Sequence, residues 1–418
     1  MNRTSAATDR IVALDVIRGI AVMGIFSVNV IAFAFIEPAY FNPPTMGGHS
    51  GADLATWAVN AIIIDGKMRS LFSMLFGASV LLVIDRARAS GRSPAATHFA
   101  RMLVLGLIGL THFYLIWWGD ILFSYAAAGC VLYLFRNREP KTLLCWSAGL
   151  FFINAALLFA LTTGLQSLER AAHAPNAAAA DVREWQEQTR FITATPDEAA
   201  RQIAIARSGI GTRVGATINE RGLEPLILLA MTSGETIALM LLGMALFRMG
   251  FLTGEWPDHA YRRTSTWTLA IGIPATALLA FLTWSSGFDV IAIMTNSMVL
   301  STPLRPLMAV GYAALIILLA RNANGMRDRI AAVGRCAFTN YLGTSILASL
   351  IFFGDGLGLF ARLSRFESWL FVPLFWVLML AWSKPWLDRF RYGPLEWLWR
   401  SLARLELQPM RKQVLAAA

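Results

Sequence analysis

Runs of about twenty apolar residues, separated by short polar connections, recur along the whole chain. A helix needs ~20 such residues to cross ~30 Å of hydrocarbon. By that ruler the sequence predicts ten spans, over residues 14–36, 68–85, 100–118, 120–135, 142–164, 225–247, 265–284, 304–320, 336–353 and 367–383. The expected fold class is all-α, a polytopic transmembrane helical bundle. Two regions break the pattern. Residues 53–66 are apolar but too short to span, and predict an interfacial or re-entrant helix leading into the second span. Residues 166–222 are a long polar insertion, helix-prone around Asp181–Thr195, that caps one face. The chain then divides into a five-span half (1–165), the insertion (166–222), a second five-span half (223–383) and an interfacial tail (384–418). Apart from Pro303 and Pro306, no Gly/Pro interruptions sit at matching positions in the two halves, which weighs against a broken-helix transporter.

Composition agrees with that class. Of 418 residues, 56% are apolar and only 15% charged, too few charges to cover a soluble surface of this size. The net charge of +10 is spread as short basic clusters between apolar runs, so nucleic acid is excluded as a partner. Arg86, Arg88, Arg136, Arg138, Arg327 and Arg329 fall in alternate connections, whereas 37–52, 119–120 and 285–303 hold no Lys or Arg. The inside-positive bias therefore predicts both termini in the cytoplasm. Arg362 and Arg365, in 354–366, are the exception. Cys130, Cys145 and Cys336 have no metal-ligand or disulfide spacing, so no metal is expected. Ala32-Phe33-Ala34 has the form of a signal-peptidase site, but the preceding apolar run is long and charged at its start, which favours retention as the first span.

Polar side chains inside apolar runs are the candidates for chemistry, because each costs free energy unless paired or hydrated. Asp15 and Arg18, three residues apart, share one helix face and can neutralise each other as an anchor or as part of a site. His112 lies near the outer end of the third span, with Asp120 at the turn into the fourth. Eight residues of helix are ~12 Å, so a direct contact requires the helix to break at Gly119, or a bridging water. A histidine oriented by a carboxylate is placed to act as a general base. Glu235 is a lone carboxylate in the middle of the sixth span, either protonated or paired. Asn29 and Asn340 are interhelical hydrogen-bonders or cavity groups. Lys67 and Arg69, with Asp65, sit at the outer mouth of the second span and can line a pocket together with His112 and Asp120. His49 lies in a Gly-rich loop on the same side. The tail 383–400 alternates aromatics and cations as interfacial helices do, with Glu396 in a first helical turn.

Three stretches together resemble one family, the YeiB-like bacterial inner-membrane proteins (domain of unknown function 418). They are Leu14-Asp15-x-x-Arg18-Gly19 with Gly24-Ile25 and Asn29, Gly109-x-x-His112 through Trp118-Gly119-Asp120-Ile121-Leu122, and Thr339-Asn340-Tyr341-Leu342 with Gly393-Pro394-Leu395-Glu396-Trp397-Leu398-Trp399-Arg400. The opening motif is similar to that of a wider superfamily of transmembrane acyltransferases. The resemblance implies an acyltransferase-like fold in the bacterial inner membrane, with a cytoplasmic acyl-CoA as donor and no tightly bound cofactor. It implies a histidine base, His112 by motif or His49 by loop position. The expected catalytic pair is His112 and Asp120, and the expected substrate-binding residues are Asp15, Arg18, Asn29, Lys67, Arg69, Glu235 and Asn340. Membrane lipid and a small-molecule substrate are the expected partners, with a homodimer left open. A proton-coupled transporter or lipid-handling protein is the second reading, in which Asp15, Arg18, Glu235 and His112 line a route and protonation of His112 or Glu235 couples substrate to proton movement.

Overall fold

The computed structural model describes residues 11–412, and every predicted span is helical in it. The helices are α1 (Val12–Ala34), α2 (Gly51–Val59), α3 (Lys67–Ala89), α4 (Pro94–Leu115), α5 (Leu122–Leu132) and α6 (Pro140–Ala172). Three short helices make the insertion: α7 (Ala179–Thr189), α8 (Pro196–Ala206) and α9 (Ile210–Arg221). The second half contains α10 (Glu224–Arg248), α11 (Asp258–Ser285), α12 (Val290–Ile293), α13 (Leu304–Ala320), α14 (Gly325–Arg335), α15 (Ala337–Phe352), α16 (Phe371–Arg389) and α17 (Pro394–Arg404). Seven of the described helices are long and apolar enough to cross a membrane, and the bent unit Val290–Ala320 makes an eighth. Two shorter apolar helices, Leu122–Phe135 and Ala337–Phe352, complete the predicted ten.

Burial separates the centre of the bundle from its rim. In α1 and in Gly51–Ala89, 61% of the apolar window is buried, against 17% in α6 and α11. The first motif explains why α1 can be central. A Cβ on Gly19 would strike the Ile330 carbonyl, and one on Gly334 the Asp15 carbonyl, so α1 and α14 touch backbone to backbone. Only a missing side chain on each helix allows that approach.

Several expectations change in detail. The 53–66 segment is α2 followed by a π-helical turn, Asn60–Ile64, and it breaks at Asp65-Gly66, where Gly66 takes φ +73°. The second half repeats the device: α12, a π-helical turn at Met294–Leu300, a break at 301–303, then α13, bent by 50°. The two halves thus do carry comparable interruptions. Gly66 and Pro303 mark the two breaks in the sequence, but the widened turns before them leave no proline or glycine signature of their own, so the two did not read as a matched pair. In the insertion, helix does not run on from Asp181 to Thr195. It stops at Thr189, and Thr195 starts α8 with a capping box to Glu198.

The insertion lies across one end of the bundle, the insertion end. Arg221 pairs with Glu37 at 2.6 Å and Glu224 at 3.0 Å, and Arg213 pairs with Asp355 at 2.5 Å. Arg365, an exception to the charge pattern, is buried and donates to the Ala39 carbonyl, so it is an internal strut and not a topological signal. At the opposite, basic end, the tail does more than lie on an interface. Glu396 accepts from the backbone N–H groups of Phe338 at 2.7 Å and Thr339 at 3.1 Å and from the Thr339 hydroxyl, capping α15 from a neighbouring helix. Thr339 Oγ1 in turn accepts from Leu395 N at 3.0 Å, so two helix N-termini meet through one carboxylate and one hydroxyl. Burial pushes the Glu396 carboxyl up, and those hydrogen bonds pull it part of the way back. Residues 413–418 of the predicted tail, like residues 1–10, lie outside the described residues.

Because overpacking typically costs ~1–3 kcal/mol, Gly334→Val is expected to lower the thermal unfolding midpoint of the detergent-solubilised protein clearly. Gly149→Val, where a Cβ meets open space, is expected to leave that midpoint unchanged.

Candidate functional site

The inward faces of α1, α3, α4 and α10 do not close on one another. They leave a cavity of about 1560 Å³ that runs from the basic end to the insertion end. Helix α3 shows its construction. Arg69, Phe72, Phe76, Val80, Val83 and Arg86 all face the cavity, a stripe with helical spacing whose two ends are guanidinium groups and whose middle is apolar.

At the basic end the wall carries Arg18, Arg86, Arg101, Arg335, Arg391, Arg400 and Lys412 against the carboxylates Asp15 and Glu396. Arg18 donates to Asp15 at 3.3 Å and to Ser79 at 3.0 Å, so the ion pair read from sequence exists and ties α1 to α3. Trp399 stacks under Arg101 at 4.2 Å and donates to its carbonyl, which fixes α17 over this mouth. Burial holds the Arg400 guanidinium below its usual range, and the cations Arg404 and Arg86 push the same way. Surplus positive charge facing a hollow favours an anion there. His98, buried and bonded to the Gly129 carbonyl at 2.9 Å, also lines this end.

Towards the insertion end, Glu235 is paired, not isolated. Arg69 donates to one carboxylate oxygen at 2.5 Å and Arg305 to the other at 3.1 Å. The two π-helical turns hold the cations of this layer: Arg305 also donates to the Ser297 carbonyl at 2.6 Å, and Lys67 to the Ala61 carbonyl at 2.5 Å. Tyr40 bonds Asp65 at 3.0 Å on the same wall.

The histidine stands near the end of α4. Helix α4 ends at Leu115, four residues before Gly119, and the released chain returns Asp120 to within 2.9 Å of His112 Nδ1. The other Asp120 oxygen accepts from Phe123 N at 2.9 Å, which anchors the carboxylate at the start of α5. Gly109 leaves room for that return, since a Cβ there would meet Phe123 N and Asp120. Both side chains of the pair are buried. His112 Nε2 and Trp117 Nε1 are buried without hydrogen-bond partners, and the buried Tyr341 hydroxyl beside them lies within reach of the Ile121 backbone. The Tyr341 and Trp117 rings lie 5.5 and 6.2 Å from the imidazole, and both line the cavity while His112 stands behind them. Unpaired buried polar atoms are costly and cluster at functional sites. Here an imidazole, an indole and a phenol are neighbours in one buried cluster.

The structure brings Asp15, Arg18, Asn29, Arg69, Asp120 and Glu235 to a single wall. Lys67 lies behind that wall, held by Ala61. Asn340 is away from the cavity, bonded to Val333, Ser383 and Trp382 as an interhelical tie. Asn29 makes no interhelical hydrogen bond among the described residues and faces the hollow. His49 is exposed and off the cavity, which leaves His112 as the motif histidine with a built environment. Arg305 escaped sequence reasoning, although a guanidinium one residue inside a span whose preceding loop has no Lys or Arg was a visible signal. Trp117 was disguised as one of many interfacial aromatics.

In a background with Cys130, Cys145 and Cys336 replaced by alanine, Asn29→Cys is expected to react with a small charged methanethiosulfonate. Phe152→Cys, 75% exposed on the apolar exterior, is expected to stay unmodified in liposomes.

A family profile described as "Protein of unknown function (DUF418)" matches residues 246–406. The chain is 31% identical over 402 residues to the "Uncharacterized protein YeiB" of Escherichia coli (strain K12), covering 94% of this chain and 96% of that one. It is 29% identical to the "Uncharacterized protein YxaH" of Bacillus subtilis (strain 168), with 97% of each chain covered. No solved structure matches. With that identity along nearly its whole length, this chain belongs to the YeiB-like DUF418 family.

Proposed function

We propose that the protein is a membrane-embedded acyltransferase, moving an acyl group from a cytoplasmic acyl-CoA to an envelope or small-molecule acceptor. The observation that carries the reading is the pair of unpaired polar atoms His112 Nε2 and Trp117 Nε1, with the Tyr341 ring against the same imidazole, beside a hollow that has an arginine-rich end. In this scheme the basic end faces the cytoplasm of the bacterial inner membrane, as the inside-positive bias favours, and its guanidinium groups hold the donor's phosphates. The apolar stretch past Phe76 and Phe72 receives the acyl chain. His112, oriented by Asp120, takes the proton from the acceptor's hydroxyl or amine through Nε2. The acceptor oxygen or nitrogen attacks the thioester carbonyl, and the Trp117 N–H and Tyr341 O–H donate to the resulting oxyanion. When the C–S bond breaks, the thiolate leaves and recovers the proton from His112. Substrate entry requires the Trp117 and Tyr341 rings to turn aside from the imidazole.

The paired π-turn interruptions favour a second reading, proton-coupled transport of an anionic or lipid-like molecule through the same cavity. The two readings part in one assay. In inverted membrane vesicles with radiolabelled acetyl-CoA or a long-chain acyl-CoA, His112→Ala is expected to reduce transfer of label by ~10²–10⁴-fold. Trp117→Phe, which removes only the N–H donor, is expected to cost ~10²–10³-fold. Unchanged transfer in His112→Ala overturns the catalytic role. A pH-dependent flux in proteoliposomes that needs no acyl donor supports transport instead.

A further inference from the structure

The geometry points to a binding site for the single anionic head of an amphiphile at Arg69 and Arg305, with its apolar chain lying along Phe72 and Phe76. The cavity would hold such a molecule whether it is then acylated, carried or retained.

Three observations meet there. First, the charges do not balance. Arg69 and Arg305 share the one carboxylate of Glu235, and the field of Asp65 acts on both Lys67 and Arg69, so three cations face two carboxylates and one positive charge is left in the layer. Second, the guanidinium groups are held in place and still face the cavity. Glu235 and the Ser297 carbonyl take some of their N–H groups, and both arginine side chains line the cavity and stay partly accessible, at 26% and 17%. Such an arrangement presents N–H donors, already aligned, to a carboxylate or phosphate oxygen. Third, the cavity face of α3 adjoining this site is apolar through Phe72 and Phe76 as far as Ser79, where Arg18 bonds, ~15 Å away by helix rise. A free inorganic anion would leave that length of apolar wall unused, whereas an uncharged chain would leave the guanidinium surplus unmet. An anionic amphiphile satisfies both.

Glu235 is then an internal stand-in for the ligand's charge. It occupies donors that the anion would otherwise take, which makes the expected effect of its removal opposite in sign to a structural loss. The test is native mass spectrometry of the full-length protein titrated with oleate, oleyl alcohol or inorganic phosphate, with no acyl donor present. Oleate is expected to bind roughly tenfold more tightly than oleyl alcohol, since the chain is common and only the charge-assisted hydrogen bonds differ. It is also expected to bind more tightly than phosphate, which lacks the chain. Arg305→Gln should weaken oleate binding by roughly tenfold and Arg305→Lys by less. Glu235→Gln, isosteric and neutral, should strengthen it. If Arg305→Gln fails to fold, the sign of the Glu235→Gln effect alone decides. Equal binding of oleate and oleyl alcohol, binding of phosphate as tight as that of oleate, or weaker oleate binding in Glu235→Gln overturns the inference. None of these outcomes depends on acyl transfer, so that activity can fail while this site stands.

Discussion

A charge inside a helical bundle in lipid must be neutralised, hydrated or used, because the low dielectric that strengthens an ion pair also makes an unpaired ion expensive. The junction of Glu235 with Arg69 and Arg305 is where this constraint acts most strongly. It ties α3, α10 and α13 at one depth, with two helices entering the junction from π-helical turns. Removing one partner of a buried pair typically costs ~3–5 kcal/mol, so the three helices hold their spacing.

The remaining polar features follow from the cavity. The Asp15–Arg18 pair tolerates its place near the end of α1 because α14 packs against the same turn through Gly19 and Gly334, and Ser79 completes the guanidinium's bonding. The His112–Asp120 pair sits where α4 unwinds, and Asp120 serves both the imidazole and the start of α5. At the basic end Glu396 joins α15 and α17, placing Arg400 and Trp399 over the mouth. At the insertion end Arg221 clamps Glu37 and Glu224 and lies over Trp118, the neighbour of Trp117. Charged ends and an apolar middle thus come from separate contacts that share one void.

Much of this was legible in the residues. Length and hydropathy located the apolar helices, eight of them long enough to span when the bent pair is taken as one, since a hydrocarbon slab selects for both properties in a single stretch. The intraspan charges Asp15, Arg18, Arg69 and Glu235 marked the cavity wall because lipid rejects them everywhere else. The His112 to Asp120 spacing posed a question that only the backbone could answer: the helix stops early, at Leu115. Three things were not legible. Asn340 has the same residue type as Asn29 yet serves packing, and only neighbours from α16 distinguish them. The π-helical turns have no composition signature. Glu396 reads as the first turn of its own helix, while its partners belong to another helix 57 and 58 residues away in sequence.

The most direct test of the central claim is an experimental density map of the full-length protein in lipid nanodiscs, purified without added ligand. The account predicts an elongated void or density running between the basic and insertion ends, with the charged end of any bound molecule against Arg69 and Arg305. Helices α1, α3, α4 and α10 packed side chain to side chain between Arg18 and Arg69, with no space between them, would contradict it.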